Sequence, residues 1–463
     1  MTFSGIIDAI DGWLWGLPLI IILLATHIYC TVRSGFIQRY IGRGIKLSVT
    51  PDPDGEGEVS QFGALTTALA ATIGTGNIVG VATAIVSGGP GAVFWMWITG
   101  VLGIATKYFE THMSVKYRVQ TKDGRMIGGA MFALQRGLNM KWLGVIFAAL
   151  GAIAAFGIGC ATQANSISAA MAQNFGVNPI LTGIVVAVLT AVVIIGGVKA
   201  ITKVTEKLVP FMAAFYVIGC LIVIILNRHF LVSAIALIIK SAFSVQAGAG
   251  GLFGFAVGKA LRFGFARGLF SNESGMGSAP LVAASAKTRN PVRQSLVSMT
   301  GTFWDTVIIC ALTGITLVSS ALAHPEFITG GDDAKSILTF KAFELIPGIG
   351  KPVIAIALAL FAFSTILGWS HYGERCAEYL FGAKIILPYK VLFILFSFIG
   401  SVAALDTVWA VADILNGLMV IPNVIGIWLL MGSMNKDVKR YVDNIDDVDT
   451  TPIPVIDQEF ADL

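Results

Sequence analysis

Charge is what this sequence is short of. Of 463 residues only 13% are charged, 31 Lys and Arg with 27 Asp and Glu, against roughly a quarter in an ordinary soluble domain. With 56% hydrophobic residues and a mean hydropathy of +0.81, that deficit excludes a water-soluble globular fold, because so few ionised groups cannot cover a surface of this size. Paired cysteines are missing too: Cys30, Cys160, Cys220, Cys310 and Cys376 fall singly, without CxxC or zinc-type spacing, and read as small packing residues. There is no HExxH, no glycine loop ending in a phosphate-binding Lys, and no nucleophile beside a base, which argues against a membrane-embedded enzyme. No basic cluster interleaved with aromatics points to nucleic acid, and neither a filter motif nor a charge ring points to a channel. The N-terminal segment lacks a basic leader and carries Asp8 and Asp11, so its apolar run is expected to remain in the mature protein.

What is present is apolar length, and 52 glycines. Runs near the ~20 residues needed to cross the hydrocarbon core occur at about 14–34, 62–86, 91–117, 143–172, 178–197, 208–227, 249–286, 294–322, 352–379, 385–403 and 407–433. Eleven spans are expected, with 230–245, short and interrupted by Lys240, as a helix lying in the membrane interface. Placing the N-terminus outside puts 22 of the 31 basic residues on the cytoplasmic side, as loop charge bias requires. The chain after Arg440 has seven acidic and no basic residues and is expected to be a solvated cytoplasmic tail.

Two spans make poor helices. The second holds Gly74-Thr75-Gly76-Asn77, and the seventh holds Ser271-Asn272-Glu273-Ser274-Gly275-Met276-Gly277 with Pro280 beyond. Each interior Gly costs about 1 kcal/mol, and Asn and Ser compete for the backbone, so both spans should unwind at membrane depth. Unwound backbone is tolerated there only in protein or around a polar site. Free carbonyls ending one half-helix suit a cation and free amides starting the next suit a carboxylate. Omitting the first span, the other ten divide into two fives, each opening with its broken helix, which is the pattern of an inverted repeat.

Gly74 to Ala82, the run Gly88-Gly89-Pro90-Gly91-Ala92-Val93-Phe94-Trp95-Met96-Trp97, Ser271 to Pro280, and Thr365-Ile366-Leu367-Gly368-Trp369 followed by Tyr372-Gly373-Glu374 resemble the alanine or glycine:cation symporter family. His371 departs from the pattern, where an aromatic such as Tyr is expected. The resemblance spans nearly the whole chain. It implies the leucine-transporter fold of the amino acid-polyamine-cation superfamily: an all-α polytopic protein with a five-plus-five inverted repeat, an extra N-terminal helix and two broken helices. The segments would be 1–61 (extra helix and loop), 62–227 (first repeat), 228–248 (interfacial helix), 249–434 (second repeat) and 435–463 (tail).

The resemblance further implies sodium-coupled import of alanine or glycine at a plasma membrane, by a monomer with the C-terminus cytoplasmic, no cofactor, and sodium as coupling ion. One sodium site would use the Asn77 side chain, the Thr72 carbonyl and a group near Ser271 or Asn272. The other would use carbonyls of Ala70, Ile73 and Phe361 with hydroxyls of Ser364 and Thr365, although such hydroxyls also back-bond to their own helix. Amides of Thr75, Gly76 and Asn77 would hold the substrate carboxylate and carbonyls around Phe270 to Asn272 its ammonium. Phe270, Ile366 and Trp369 would form walls, Gln163 a polar contact, and Glu273 and Gly275 the rest of the break. Glu273 could face the ammonium, pair with a cation, or cap the second half-helix. Asp305 is expected to pair with neighbouring basic residues. Proton coupling through Glu273 or Asp305 is the rival on the same fold.

Overall fold

The computed structural model describes residues 3–243, 257–328, 333–403 and 406–456. The chain is almost wholly helical. It begins with α1 (Phe3–Leu14) and α2 (Leu17–Arg33), which turn at Trp15 and Gly16, and then α3 (Ile41–Ser48). The first repeat carries α4 (Gln61–Thr72), α5 (Val81–Gly88) and α6 (Gly91–Lys116). It continues with the short α7 (Ala130–Phe132), then α8 (Lys141–Phe156), α9 (Thr162–Phe175), α10 (Pro179–Ile194) and α11 (Gly197–Leu226). After α12 (Leu231–Phe243) come α13 (Val257–Asn272), α14 (Pro280–Ala283), α15 (Pro291–Thr302) and α16 (Ala311–Ala323). The chain closes with α17 (Asp333–Glu344), α18 (Gly350–Phe381), α19 (Ile386–Val402) and α20 (Asp406–Tyr441).

Local chemistry sets many of the helix starts. Pro18, Pro179, Pro280 and Pro291 sit in first turns, where a missing N–H costs nothing. Ser60, Asn178 and Asn290 cap the amides of Gly63, Ile180 and Arg293. Among the described residues eight helices are long and apolar enough to cross a membrane, and α4 with the Gly76–Gly88 segment forms a ninth span bent by 52°. The expected fifth span is the 16-residue α10. The expected seventh is interrupted between α13 and α14, and its start at 249–256 lies outside the described residues. The segment expected as an interfacial helix is helical as α12 and packs on α6 and α16.

Both expected breaks are present. Ile73 leaves the helix at φ −76°, ψ 90°. Glu273, Gly275 and Gly277 take φ of 54°, 99° and 78°, the left-handed region that a non-glycine residue enters only at a cost. Four π-helical stretches among the described residues were not foreseen: Gly76–Gly80, Ala133–Gly137, Gly157–Ala161 and Phe303–Cys310. α6 packs along α13 and α15, while α18 packs on α4, α8, α9 and α11, so the two breaks meet between these groups.

The tail departs from expectation. Asn290 Nδ2 donates to the carbonyls of Ile445 and Asp447 at 2.9 and 2.8 Å, and Asp446 pairs with Arg293 at 3.1 Å. A strand β3 (Val455–Ile456) lies parallel to β1 (Val119–Thr121), which is antiparallel to β2 (Met126–Ile127). Acidic composition favoured solvation, but the tail meets basic loops and an open strand edge, and it docks.

Candidate functional site

The first break is tied by its own residues. Gly74 N donates to Asn77 Oδ1 at 2.9 Å and Asn77 N to the Gly74 carbonyl at 3.2 Å. Gly74 is required by approach: a Cβ there would lie 2.5 Å from Thr365 Oγ1. The Asn77 amide, expected to hold a carboxylate, is therefore spent inside the turn.

The Asn77 side chain instead reaches Asp305. Its Nδ2 donates to Asp305 Oδ1 at 2.7 Å, while Ser271 Oγ donates to Asp305 Oδ2 at 3.0 Å and Thr306 Oγ1 to the same oxygen at 2.6 Å. Asn272 Nδ2 extends the network to Thr306 Oγ1 at 3.0 Å. Asp305 is fully buried on the π stretch between α15 and α16. Among the described residues it has no ion-pair partner; every donor to it is neutral. This corrects the expectation of a basic partner. Asp305 links the two broken helices, a connection that sequence reasoning did not foresee.

Glu273 is the second buried carboxylate. Its Oε1 accepts from Trp369 Nε1 at 3.0 Å and its Oε2 from Ser278 Oγ at 2.5 Å. Of the three roles left open by the sequence, a side-chain ion pair is absent among the described residues, whereas the bond to Ser278 joins it to the stretch before α14. Its carbonyl accepts from Lys107 Nζ at 3.0 Å. Lys107 also pairs with Glu110 at 3.3 Å, and Glu110 Oε1 accepts from Gly275 N, Gly277 N and Asn423 Nδ2 at 2.8, 2.8 and 2.7 Å. An ammonium thus meets the carbonyl that ends α13, and a carboxylate meets the amides that follow, matching the polarity of the broken helix ends. The signal in the sequence was two opposite charges one turn apart in an apolar span.

Between the breaks lies a cavity of about 20 Å³, bordered by Ala71, Thr72, Gly74, Thr75, Gly76, Ile158, Gln163, Phe270, Ser271, Glu273, Thr365 and Trp369. Gln163 Nε2 donates to the Ile158 carbonyl at 3.1 Å, leaving Oε1 buried without a hydrogen-bond partner among the described residues. Asn77, Asn272, Gly275 and Ile366, expected around the substrate, do not border it: the first two are drawn into the Asp305 network, the Gly275 amide turns to Glu110, and Ile366 is packed in the core.

The residues expected to form the second sodium set lie close together, with their hydroxyls donating to the neighbouring carbonyls. Ser364 Oγ lies 3.1 Å from the Ala70 carbonyl and 2.8 Å from that of Phe361, and Thr365 Oγ1 lies 3.1 Å from the Phe361 carbonyl. These are neutral hard oxygens, the donors a monovalent hard cation prefers. Ile73 is buried where α4 ends, and Thr72 back-bonds to Ala68 at 3.2 Å. His371 is buried, and neither ring nitrogen has a hydrogen-bond partner among the described residues.

Comparison with known proteins identifies the family and the fold. The profile of the sodium:alanine symporter family matches residues 1–453. The sodium/alanine symporter AgcS of Methanococcus maripaludis is 47% identical over 448 residues, 95% of this chain and 98% of that protein. The probable sodium/glutamine symporter GlnT of Bacillus subtilis is 36% identical over 443 residues, 94% and 90% of the two chains. The crystal structure of MhsT in complex with L-phenylalanine superimposes with a TM-score of 0.56 at 14% identity, covering 83% of this chain and 99% of that one. The shared architecture is the leucine-transporter fold of secondary transporters.

Proposed function

Because this chain belongs to the sodium:alanine symporter family, we propose that it imports a small neutral amino acid, alanine or glycine, together with sodium by alternating access. The observation that carries the reading is Asp305, a buried carboxylate with no basic partner among the described residues, which joins both broken helices. A buried charge of this kind costs several kcal/mol unless compensated, and sodium beside Asp305, Asn77 and Ser271 compensates it. The amino acid occupies the adjacent cavity, its ammonium toward Glu273 and the Gln163 Oε1, its carboxylate toward the Thr75 and Gly76 backbone. Bulky Phe270 and Trp369 leave room for a methyl group or a hydrogen. A second sodium sits among Ala70, Phe361, Ser364 and Thr365. Each ligand orders backbone that the others use, so each raises the others' affinity; this is coupling in the thermodynamic sense.

Uptake of alanine into proteoliposomes tests the reading. An inward sodium gradient at constant pH should drive accumulation, and no stimulation by sodium would refute it. The two buried carboxylates also support proton coupling, which predicts accumulation under an inward proton gradient without sodium. Competition by glycine, both alanine enantiomers, serine and leucine then defines the substrate.

A further inference from the structure

The N-terminal helix pair stands outside the repeat, yet it touches the second break at two points. At the α1–α2 turn the Trp15 ring meets the Phe270 ring edge-on, centroids 6.3 Å apart and planes at 64°. Trp15 Nε1 donates to the Asp413 carbonyl of α20 at 3.0 Å, which fixes the indole between α13 and α20. Further along α2, Leu23 presses on the unwound segment: a Cβ on Gly275 would lie 2.1 Å from Leu23 Cδ2. Leu14, Leu19 and Leu23 share one apolar cluster with Leu269, Met276, Val420 and Val424.

Phe270 connects this cluster to the substrate cavity. It borders the cavity and is itself only partly buried, so its ring is the partition between the cavity and the side on which Trp15 stands. The Arg267 guanidinium lies 5.7 Å from the same ring. This side is remote from the docked tail, since Asp413 and Tyr441 lie at opposite ends of α20, about 40 Å apart at 1.5 Å per residue. We infer that Trp15 is the lid residue on this side: an amino acid leaves toward it only when Phe270 swings, and Phe270 is held while the anchored indole stands against its edge. Trp15 does not touch the substrate. It acts through Phe270 and is a positioning residue, supplied by the one helix pair that the repeat does not need. The inference rests on the proposal that the cavity holds the amino acid.

Release of radiolabelled alanine from the purified, sodium-loaded full-length protein after rapid dilution tests it. Losing one aromatic edge contact and one hydrogen bond corresponds to about tenfold, so Trp15→Ala should release alanine about tenfold faster with its sodium requirement unchanged. Trp15→Phe, which keeps a ring but loses the N–H, should release it roughly threefold faster and serves alone if the alanine variant does not fold. Release at the wild-type rate from either folded variant overturns the lid. A second readout does not depend on which amino acid binds. All five native cysteines are buried, so a Thr75→Cys reporter in the cavity can be labelled with a membrane-impermeant maleimide. Labelling should be faster when Trp15→Ala is added, and equal rates overturn the lid. Failure of the wild type to bind alanine with sodium, alongside faster labelling of the double variant, would bring down the substrate assignment and leave the lid standing.

Discussion

At the scale of single residues, charge without a counter-charge locates the chemistry. Asp305→Asn keeps the shape and one acceptor oxygen while removing the charge that the proposed sodium ion would offset. The expected outcome is a rise of at least tenfold in the sodium concentration for half-maximal alanine uptake, corresponding to about 1.4 kcal/mol or more, measured by sodium titration in proteoliposomes. Unchanged sodium dependence would remove Asp305 from the ion site. Steric limits make a second prediction: a Cβ on Gly159 would lie 2.3 Å from Trp369 Cβ, so Gly159→Ala should drive Trp369 toward the cavity and weaken alanine binding at least tenfold, measured by equilibrium binding. Asn77 and Ser271 were legible because each lies in a polar interruption of an apolar run. The partner they share was legible as an acid in a largely apolar run, Phe303-Trp304-Asp305-Thr306-Val307-Ile308, and as a candidate proton carrier, but not as the group that joins them. Which groups it meets is decided by the packing of three helices distant in sequence, and no local pattern carries that information.

At the scale of elements, the breaks were readable because Gly, Asn and Ser abandon helix geometry wherever they cluster, whatever the solvent. The π stretches were not, because one extra residue in a turn leaves an almost uniformly apolar helix uniformly apolar. Such turns gather at functional sites, and here Phe303–Cys310 carries Asp305. What holds the second break open also came from another element. Glu110 on α6 accepts from two amides of the break and from Asn423, and it neutralises Lys107. Glu110→Ala would strand that buried ammonium and those donors, a change of about 3–5 kcal/mol. A lower thermal-unfolding midpoint in detergent is expected, with Glu110→Gln falling less because an acceptor oxygen remains. Equal midpoints for wild type and Glu110→Ala would show that the break holds itself.

At the scale of the whole molecule, the two chain ends secure opposite ends of α20. The N-terminal pair closes on the Asp413 end, and the tail binds loops at the Tyr441 end. Arg289 gathers the loop before α4 and the tail together: it donates to Asp52 through Nε at 2.7 Å and through Nη1 to the Asp446 carbonyl at 2.8 Å. The hydrogen bond that Arg289 donates to Asp52 holds its guanidinium above the ordinary value, so this link persists throughout the physiological pH range. Arg118 adds bonds to the carbonyls of Ala284, Ala286 and Glu56 at 3.1, 3.0 and 3.0 Å, joining the segment after α14 to the one before α4. Both broken helices are therefore tied at this end, and the tail overlies the tie. Its strand is short, but Gln120 N donates to the Pro454 carbonyl at 2.8 Å, giving a single amide that reports docking. Ending the chain at residue 442 should expose that amide and speed its hydrogen exchange by at least tenfold, read by mass spectrometry on the peptide covering β1. The amides of the α13–α14 break, held by Glu110 rather than by the tail, should keep their protection. Slow exchange at Gln120 in the shortened chain would mean that the β1–β2 hairpin is ordered without the tail.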